Sequence, residues 1–446
     1  MAKNWEDMSA DERQEEMFAK WLSPEGMEYV SPAAEKLYKE RITRIKDAIQ
    51  MKKLPDRVPA VTTPGFFPVY YAGMTPEDVM YDYDKCYQAF KKYLVDFEPD
   101  VHMGAVVAGS GKFLETVDYK LYGWPGHGVP PEQTYQAIEG EYMMADEYDL
   151  LIHDPNFFFS TIYPARIFGV WEHLSQPPNV TGVAEIYGVP FNFIPFGLPH
   201  IQAAYKALME AGNEALKWAG VMGAFNKEMT EIGFPNIFGG GVTKAPFDMI
   251  GDTLRGTRGI MTDMFRQPDK LLEALEAIVP YMIGLGVGLA HMNGNPMIFI
   301  PLHKGADGFL SDAQYKKFYW PTLKKVVMGL IDEGCVPYFA AEGGYNTRLD
   351  IIKDLPRGKT VWMMDQTDMK EAKKALGEVA CLAGNVPVSL LALGTPEQTK
   401  DYVKDLIDTV GKGGGYIMSN GAFFDQAKAE NVKAMLDYTK EHGAYK

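Results

Sequence analysis

The chain has 446 residues, a formal net charge of −15 and three cysteines. This acidic balance argues against a protein that binds the nucleic-acid backbone, because such binding depends on clustered Lys and Arg. No CxxC spacing, no basic leader followed by an apolar run and no uninterrupted apolar stretch of about 18 residues is present. We therefore expect a cytoplasmic protein without a membrane span.

The first fifty residues carry helix signals. Ser9, followed three residues later by Glu12, resembles a capping box, and Ser31 precedes a run that begins with proline and continues with helix-forming residues. We predict a helical extension over residues 1–50, packed on a main domain that covers residues 51–446.

Three strand candidates follow in the first half of the main domain. They cover residues 57–63, 100–109 and 235–246, and the glycines at 239–241 would permit close backbone approach to a neighbour or ligand. Residues 110–200 are rich in proline, glycine and aromatic residues, which is typical of a lid or insertion, and we expect this segment to cover the binding face. Its aromatic residues, Phe191 and Phe193 among them, would suit a planar apolar substrate, and ordinary core packing explains them equally well.

Between residues 295 and 423 the chain repeats one pattern five times: a short apolar run stops at a polar residue, and a helix-like segment follows. The runs stop at His303, Glu342, Asp365, Asn385 and Asn420. Unbroken apolar runs separated by helices predict parallel βα units. With the three earlier candidates they give eight strands, as in an α/β fold of the (β/α)8 TIM barrel type, whose reactive groups lie at the C-terminal ends of the strands. A doubly wound open sheet, the alternative, would usually carry a glycine-rich first turn, which is missing here.

Several motifs resemble the uroporphyrinogen decarboxylase superfamily. They are GNVP at 384–387, LALGTPEQ at 391–398, GKGGGYIMSNG at 411–421 and ENVKAM from Glu430, with PDRVP at 55–59 and the long run from Phe309 upstream. The resemblance extends from about residue 40 to the end of the sequence. It implies a (β/α)8 barrel, in agreement with the strand count.

The resemblance also implies which reactions to consider. True uroporphyrinogen decarboxylases carry an arginine-rich segment after the first strand, and the corresponding stretch here, TTPGFFPVYYAG, has no arginine. Because the many carboxylates of a porphyrinogen need basic partners, this decarboxylation is disfavoured. The other branch contains corrinoid-dependent methyltransferases, some of which methylate a thiol at a zinc site built from an HxC motif and a later Cys. Ala340 stands at the His position of that motif, Glu342 at the first Cys position and Asn420 at the last.

Oxygen and nitrogen ligands in place of sulfur make a bound Zn²⁺ a stronger Lewis acid, suited to an ether or hydroxyl oxygen. On this interpretation the zinc ligands are His303, Glu342 and Asp307, and the catalytic residues are His303, Glu342 and Asp365. The candidate substrate-binding residues are Asn385, Asn420, Tyr345 and Arg348. Structural roles are the alternatives: helix caps for His303 and Asp365, a salt bridge between Glu342 and Arg348, and turns for the two asparagines.

The resemblance thus implies a zinc-dependent methyltransferase that moves a methyl group from a small O-methyl donor, such as a methoxylated arene, to a corrinoid. The corrinoid-binding signature DxHxxG is absent from the chain, so a separate corrinoid-binding protein would be the partner. A metal-independent decarboxylase or lyase acting on a small aromatic acid, and a non-catalytic binding barrel, are the competing hypotheses. The sequence leaves the methyl donor and the oligomeric state open, a homodimer included.

Overall fold

The computed structural model describes residues 3–105, 108–175 and 185–445. The strands are, in chain order, β1 Tyr122–Pro125, β2 Gly128–Val129, β3 Gln136–Ala137, β4 Met297–Leu302, β5 Val336–Ala341, β6 Val361–Met364, β7 Cys381–Gly384 and β8 Tyr416–Ile417. Strands β4 to β8 form one parallel sheet in sequence order, in which Met297 pairs with Val336 and Tyr338 with Val361. The five strands predicted in the C-terminal half are therefore confirmed.

Three further segments complete the ring of the barrel: segment A (residues 58–64), segment B (residues 100–102) and segment C (residues 236–243). Isolated parallel bridges and a single backbone hydrogen bond join them to each other and to the sheet: Ala60 with Met418, the Asp100 amide with the Ala60 carbonyl, His102 with Asn236, and Val242 with Phe299. The order around the ring is β8, A, B, C, β4 to β7 and back to β8. The fold is a (β/α)8 TIM barrel, as the sequence predicts.

The predicted strands at 57–63, 100–109 and 235–246 are wrong as regular strands, because each segment pairs only through isolated bridges. In segment A, Pro59 and Pro64 have no amide hydrogen to donate to a ladder. In segment C, Gly240 lies so close to β4 that an added Cβ would come within 2.3 Å of the Met297 carbonyl oxygen. The glycine run thus serves close backbone approach to a neighbouring strand. Residues 106 and 107 of the second prediction lie outside the described residues.

Helices surround the ring. They are, in chain order, α1 Ala10–Leu22, α2 Pro32–Gln50, α3 Phe67–Tyr71, α4 Pro76–Tyr81, α5 Tyr83–Phe97, α6 Gly111–Thr116, α7 Tyr148–His153, α8 Pro155–Phe157, α9 Tyr163–Ile167, α10 Val189–Phe193, α11 Pro199–Glu231, α12 Pro246–Asp248, α13 Gly256–Arg266, α14 Pro268–Asn293, α15 Asp312–Gln314, α16 Trp320–Asp332, α17 Leu349–Ile352, α18 Met369–Leu376, α19 Val388–Leu393, α20 Pro396–Leu406 and α21 Ala429–His442. Tighter 3₁₀ turns cover Trp5–Asp7, Gly169–Leu174, Ile194–Gly197 and Asn346–Arg348, and wider π turns cover Phe158–Ile162, Met249–Leu254, Tyr315–Tyr319 and Ile407–Gly411.

Helices α1 and α2 close the end of the barrel at which the strands begin. The Ser9 hydroxyl and the Glu12 carboxylate cap α1 reciprocally, and Ser31 caps α2 with proline as its first residue. One buried apolar cluster contains alternate residues of the strands, which point into the barrel, together with one face of each helix: Met297, Tyr338, Ala340, Val361, Met363, Cys381, Ala383 and Ile417 from the strands, and Phe18, Trp21, Ile42, Ile45 and Ile49 from the helices. The barrel interior and the first two helices therefore share one core.

One described helix, α14, is long and apolar enough to cross a membrane by length and composition alone. It packs against α16, α7 and β4 and buries Leu271, Leu275 and Ile278. One face of α14 therefore belongs to the buried core. The absence of a membrane span stays a prediction.

The segment predicted as a lid, residues 110–200, is described except for residues 176–184. It contains a small sheet in the order β2, β1, β3 and several short helices. Tyr135 packs edge-on against Phe66, in the loop after segment A, and the amide of Met143 donates to the carbonyl of Leu254, after segment C. Both contacts lie at the C-terminal ends of the barrel segments. The division into extension, barrel and lid stays a prediction.

Candidate active site

Four polar side chains follow four adjacent strands at the mouth, which we define as the end of the barrel formed by the C-terminal ends of its strands. His303 follows β4, Glu342 follows β5, Asp365 follows β6 and Asn385 follows β7. His303, Glu342 and Asp365 continue the alternation of the residues that point into the barrel, with Ala340 before Glu342 and Met363 before Asp365. Because side chains alternate between the two faces of a strand, these side chains point toward the barrel axis.

His303 lies between two carboxylates. Its Nδ1 is 2.6 Å from Oδ2 of Asp252, and its Nε2 is 3.8 Å from Oε1 of Glu342. The His303 side chain is 35% exposed and that of Glu342 is 47% exposed, so both are open to the mouth. The gap between Nε2 and Glu342 exceeds a hydrogen bond. An oxygen atom of a substrate placed to one side of the pair could lie within hydrogen-bond distance of both groups.

Asp252 is held by three donors. Lys244 Nζ is 2.9 Å from Oδ2, Lys304 Nζ is 2.8 Å from Oδ1, and His303 supplies the third. Burial opposes ionisation of Asp252, but the bond from His303 and the nearby ammonium groups outweigh burial and lower the pKa of this carboxyl. Because an ionised carboxylate only accepts, Nδ1 of His303 carries the proton of their hydrogen bond.

The same network changes the proton affinity of His303 and Glu342. Burial by itself would lower the pKa of His303, but the hydrogen bond and the charge of Asp252, with the charge of Glu342, raise it overall. Burial raises the pKa of Glu342, and the charge of Asp365 adds to this rise while His303 opposes it. Both side chains therefore keep a proton to higher pH than they would in water, as proton donors require.

The predicted zinc ligands are not all brought together. His303 and Glu342 are adjacent, but the Asp307 carboxylate accepts from the Thr347 hydroxyl at 2.9 Å and from the Thr347 amide. Within residues 3–105, 108–175 and 185–445, no group of three or more His, Cys, Asp or Glu side chains is placed to hold a metal ion. Zinc sites in proteins use at least three protein ligands. The described side chains do not complete such a site, so the zinc ion itself stays a prediction.

Asp365 and Asn385 connect the loops at the mouth. Oδ2 of Asp365 accepts from the amide of Gly343 at 2.9 Å, which links the loop after β6 to the loop that carries Glu342. The Asn385 side chain donates to the carbonyls of Asp365 and Thr367 and accepts from the Tyr402 hydroxyl. Asn385 is buried. Asp365 is half-buried.

The other three predicted substrate-binding residues lie away from solvent. Asn420 is fully buried, accepts from the amide of Thr63 and donates to the Ala422 carbonyl. Tyr345 is fully buried in the core. Arg348 is 1% exposed, donates to the Gly305 carbonyl and pairs with Asp312, so the anticipated salt bridge to Glu342 is not formed. The side chains of Asn420 and Arg348 thus join loops, and Tyr345 packs in the core; their role in substrate binding stays a prediction.

A cleft of about 710 Å³ opens beside this site, over the ends of β6, β7 and β8. It is lined by Asn346, Asp365, Gln366, Thr367, Asp368, Asn385, Pro387, Val388, Ser389, Tyr402, Ala422 and Phe423. Asp365 joins the cleft to the loop that carries Glu342. The volume suits a small molecule. Phe191 and Phe193 of the aromatic middle segment do not line the cleft and are largely exposed.

Sequence reasoning missed Asp252, Lys244 and Lys304. Lys304 follows His303 directly, but Lys244 and Asp252 come more than fifty positions earlier in the chain. The sequence feature that could have indicated this site is a pair of aspartates four residues apart, Asp248 and Asp252, directly after the third strand candidate. Two carboxylates four residues apart on one helical turn share a face.

Comparisons with known proteins agree with this architecture. A family model described as "Uroporphyrinogen decarboxylase (URO-D)" matches residues 161–442, more than half of the chain. The chain is 27% identical over 219 residues to the uroporphyrinogen decarboxylase of Neisseria gonorrhoeae, covering 47% of this chain and 58% of that protein. It is 30% identical over 142 residues to the uroporphyrinogen decarboxylase of Pseudomonas fluorescens, covering 31% of this chain and 39% of that protein. The match thus spans less than two thirds of the length of these curated relatives.

A solved structure resembles almost the whole fold. The "methyltransferase from Methanosarcina mazei" superposes with a TM-score of 0.57 at 13% sequence identity, covering 91% of this chain and 98% of that one. At this level of identity the likeness establishes the fold alone.

Proposed function

Because this chain belongs to the uroporphyrinogen decarboxylase family, we propose that it is a methyltransferase of this fold, which moves a methyl group from a small O-methyl donor to a corrinoid held by a partner protein. The arrangement of His303 between Asp252 and Glu342 carries the proposal. The likeness of the fold to a methyltransferase supports it.

Porphyrinogen decarboxylation fits the described residues poorly. A porphyrinogen carries many carboxylates, and each one that becomes buried needs a basic partner. The charged residues that line the cleft are Asp365 and Asp368, with no lysine or arginine among the lining residues. Lys244 and Lys304, the cations beside His303, already pair with Asp252. A substrate with few or no negative charges suits this site better.

His303 would act as the proton donor of the reaction. When the methyl group leaves an ether, the carbon–oxygen bond breaks and its electron pair stays on the oxygen, which becomes an alkoxide or phenoxide. The proton on Nε2 of a charged His303 neutralises that oxygen as the bond breaks. Asp252 holds the imidazole ring by Nδ1 and favours the charged form, and Glu342 faces the same oxygen position. The corrinoid, when bound, would supply the nucleophile that accepts the methyl group.

The same proton donor supports a second candidate, a metal-independent decarboxylase that acts on a small aromatic acid. There His303 would protonate the carbanion that remains after carbon dioxide leaves. The acid of such a substrate would need Lys244 or Lys304 to leave Asp252. The two functions differ in their products, so one set of assays separates them.

The test is methyl transfer to free cob(I)alamin, followed by its change in absorbance, with a panel of methanol and methoxylated benzenes. We expect His303→Ala and Glu342→Ala each to lower the rate by about 10² to 10⁴, the usual contribution of a general acid, with little change in folding. His442→Ala and Glu378→Ala, exposed residues outside the site, are the controls. Wild-type turnover in either site variant removes that residue from the mechanism, and release of carbon dioxide without methyl transfer favours the decarboxylase.

A further inference from the structure

A buried carboxylate lies directly behind His303. Asp248 is fully buried, and its two oxygens accept three hydrogen bonds. Oδ2 accepts from the backbone amide of His303 at 3.0 Å and from the Tyr319 hydroxyl at 2.6 Å, and Oδ1 accepts from the backbone amide of Lys304 at 3.0 Å. The carboxylate therefore fixes the backbone at the point where β4 ends and the site begins.

Asp248 and Asp252 hold the same histidine at two places. They are four residues apart across the junction of α12 and the π turn Met249–Leu254, which brings both to one face of the chain. Asp248 holds the backbone amide of His303, whereas Asp252 holds Nδ1 of its ring. With both ends fixed, the remaining rotations of the side chain are restricted, so Nε2 keeps its direction toward Glu342.

From this geometry we infer that Asp248 and Tyr319 are positioning residues for His303, an inference that rests on the proposed function only for its effect on rate. Neither side chain faces the mouth, since both are fully buried. Their effect passes through the backbone amides of His303 and Lys304. This role deepens the proposed function by naming the part of the fold that aims the proton donor.

Tyr319 is itself held firmly. Its ring stacks on Tyr315 with centroids 5.0 Å apart and packs against Phe247, the residue before Asp248, at 5.6 Å. Gly305 makes this packing possible, because a Cβ there would lie 2.9 Å from Cζ of Tyr319 and 2.6 Å from the Tyr345 hydroxyl. The Tyr319 hydroxyl thus reaches Asp248 from a rigid aromatic layer outside the barrel.

The experiment compares two buried tyrosines that bond to buried aspartates. Tyr319→Phe removes the hydroxyl that orients Asp248, and the matched control Tyr148→Phe removes the hydroxyl that donates to Asp263 at 2.8 Å, away from the site. Thermal unfolding measures the structural loss in each variant. The ring signals of His303, observed by ¹⁵N NMR of histidine-labelled full-length protein and assigned with His303→Gln, measure its orientation and hydrogen bonding without any substrate.

We expect both variants to lose similar stability, but only Tyr319→Phe to shift the His303 ring signals. Methyl transfer by Tyr319→Phe should fall about 10- to 100-fold in kcat with KM nearly unchanged, because the donor is misplaced and not removed. Asp248→Asn should give the same shift, since an amide cannot accept from donors at both of its ends. If Asp248→Asn fails to fold, Tyr319→Phe still decides the matter.

Unchanged His303 signals in Tyr319→Phe, or equal shifts in both tyrosine variants, overturn the inference. The two proposals fail separately. A shift of the His303 signals in Tyr319→Phe, together with a wild-type protein that transfers no methyl group, leaves the positioning role intact and removes the proposed function. Normal kcat in Tyr319→Phe, with active wild-type protein, removes the positioning role and leaves the function intact.

Discussion

At the scale of single residues, the site consists of charged side chains that interact with one histidine, His303. Asp252 carries the bonds of two ammonium groups and one imidazole, and Glu342 lies across the opening. Removal of any one of these charges changes the pKa of the neighbouring groups, because charges this close in a partly buried site interact strongly. His303 is the member whose proton would be transferred, so its protonation reports on the whole network.

Asp252→Asn tests this balance through pH. The raised pKa of His303 means that its acid form persists to higher pH than usual, so the wild-type rate should fall as pH rises through that raised pKa. With the charge of Asp252 gone, the pKa of His303 drops and the same fall should occur at lower pH. The rate above neutrality should decrease about 10- to 100-fold. A pH–rate profile that matches the wild type in its alkaline limb contradicts the role given to Asp252, and Asp263→Asn controls for the loss of a buried carboxylate.

At the scale of elements, Arg348 connects two of the loops that form the mouth. It stands in the loop after β5 and donates to the carbonyls of Gly305 and Leu310 in the loop after β4, with Asp312 as its ionic partner. His303 and Glu342 belong to these same two loops. Arg348, which the sequence predicts as a substrate ligand, thus joins the two loops that follow the strands of the catalytic candidates.

Arg348→Met should therefore act on stability before it acts on binding. The variant leaves two carbonyls and a partly exposed carboxylate without their donor, which should lower the free energy of unfolding by about 2 to 4 kcal/mol. Urea denaturation measures this loss. Arg357→Met, which breaks an exposed pair with Glu378, should change stability by less than about 1 kcal/mol. A stable Arg348→Met protein with a raised KM would restore the substrate-binding interpretation.

At the scale of the whole molecule, the barrel interior depends on residues that come before the barrel in sequence. Phe18 and Trp21 of α1 and Ile45 of α2 belong to the same buried cluster as the inward side chains of β4 to β8. The end of the barrel opposite the mouth is thereby closed by apolar contact. From burial of this extent we expect the first two helices to fold together with the barrel, although they carry no residue of the site.

Phe18→Ala tests whether the helices and the barrel unfold together. Phe18 is fully buried, so its truncation should lower the free energy of unfolding by about 3 to 5 kcal/mol, the usual cost of such a cavity. Leu37→Ala on α2, a residue that is 38% exposed, is the matched control and should cost less than about 1.5 kcal/mol. Two separate transitions in urea, or a loss in Phe18→Ala no larger than in the control, would show that the extension folds apart from the barrel.

Local pattern was sufficient for the strands of the C-terminal half and for the residues at their ends. An unbroken apolar run predicts a buried strand, and the alternation of side chains along a strand predicts which residue after the run faces inward. His303, Glu342 and Asp365 could therefore be found from the sequence. The same reasoning predicted segments A and C as regular strands. In both segments prolines and glycines interrupt the ladder of hydrogen bonds, although the chain still occupies a strand position in the barrel. The reasoning did not show that Asn420 and Arg348, two of the predicted substrate-binding residues, are buried.

By itself, then, the sequence determined the barrel, its five regular strands and the row of polar residues at the mouth, because these follow from the order of apolar and polar residues over a few positions. Only the tertiary structure decided which groups surround His303. Asp248 and Asp252 bind His303 from 55 and 51 positions earlier in the chain. Lys244 binds Asp252, and Tyr319 binds Asp248 from the later π turn Tyr315–Tyr319. Contacts of that kind depend on ring closure and helix packing, which no local pattern encodes.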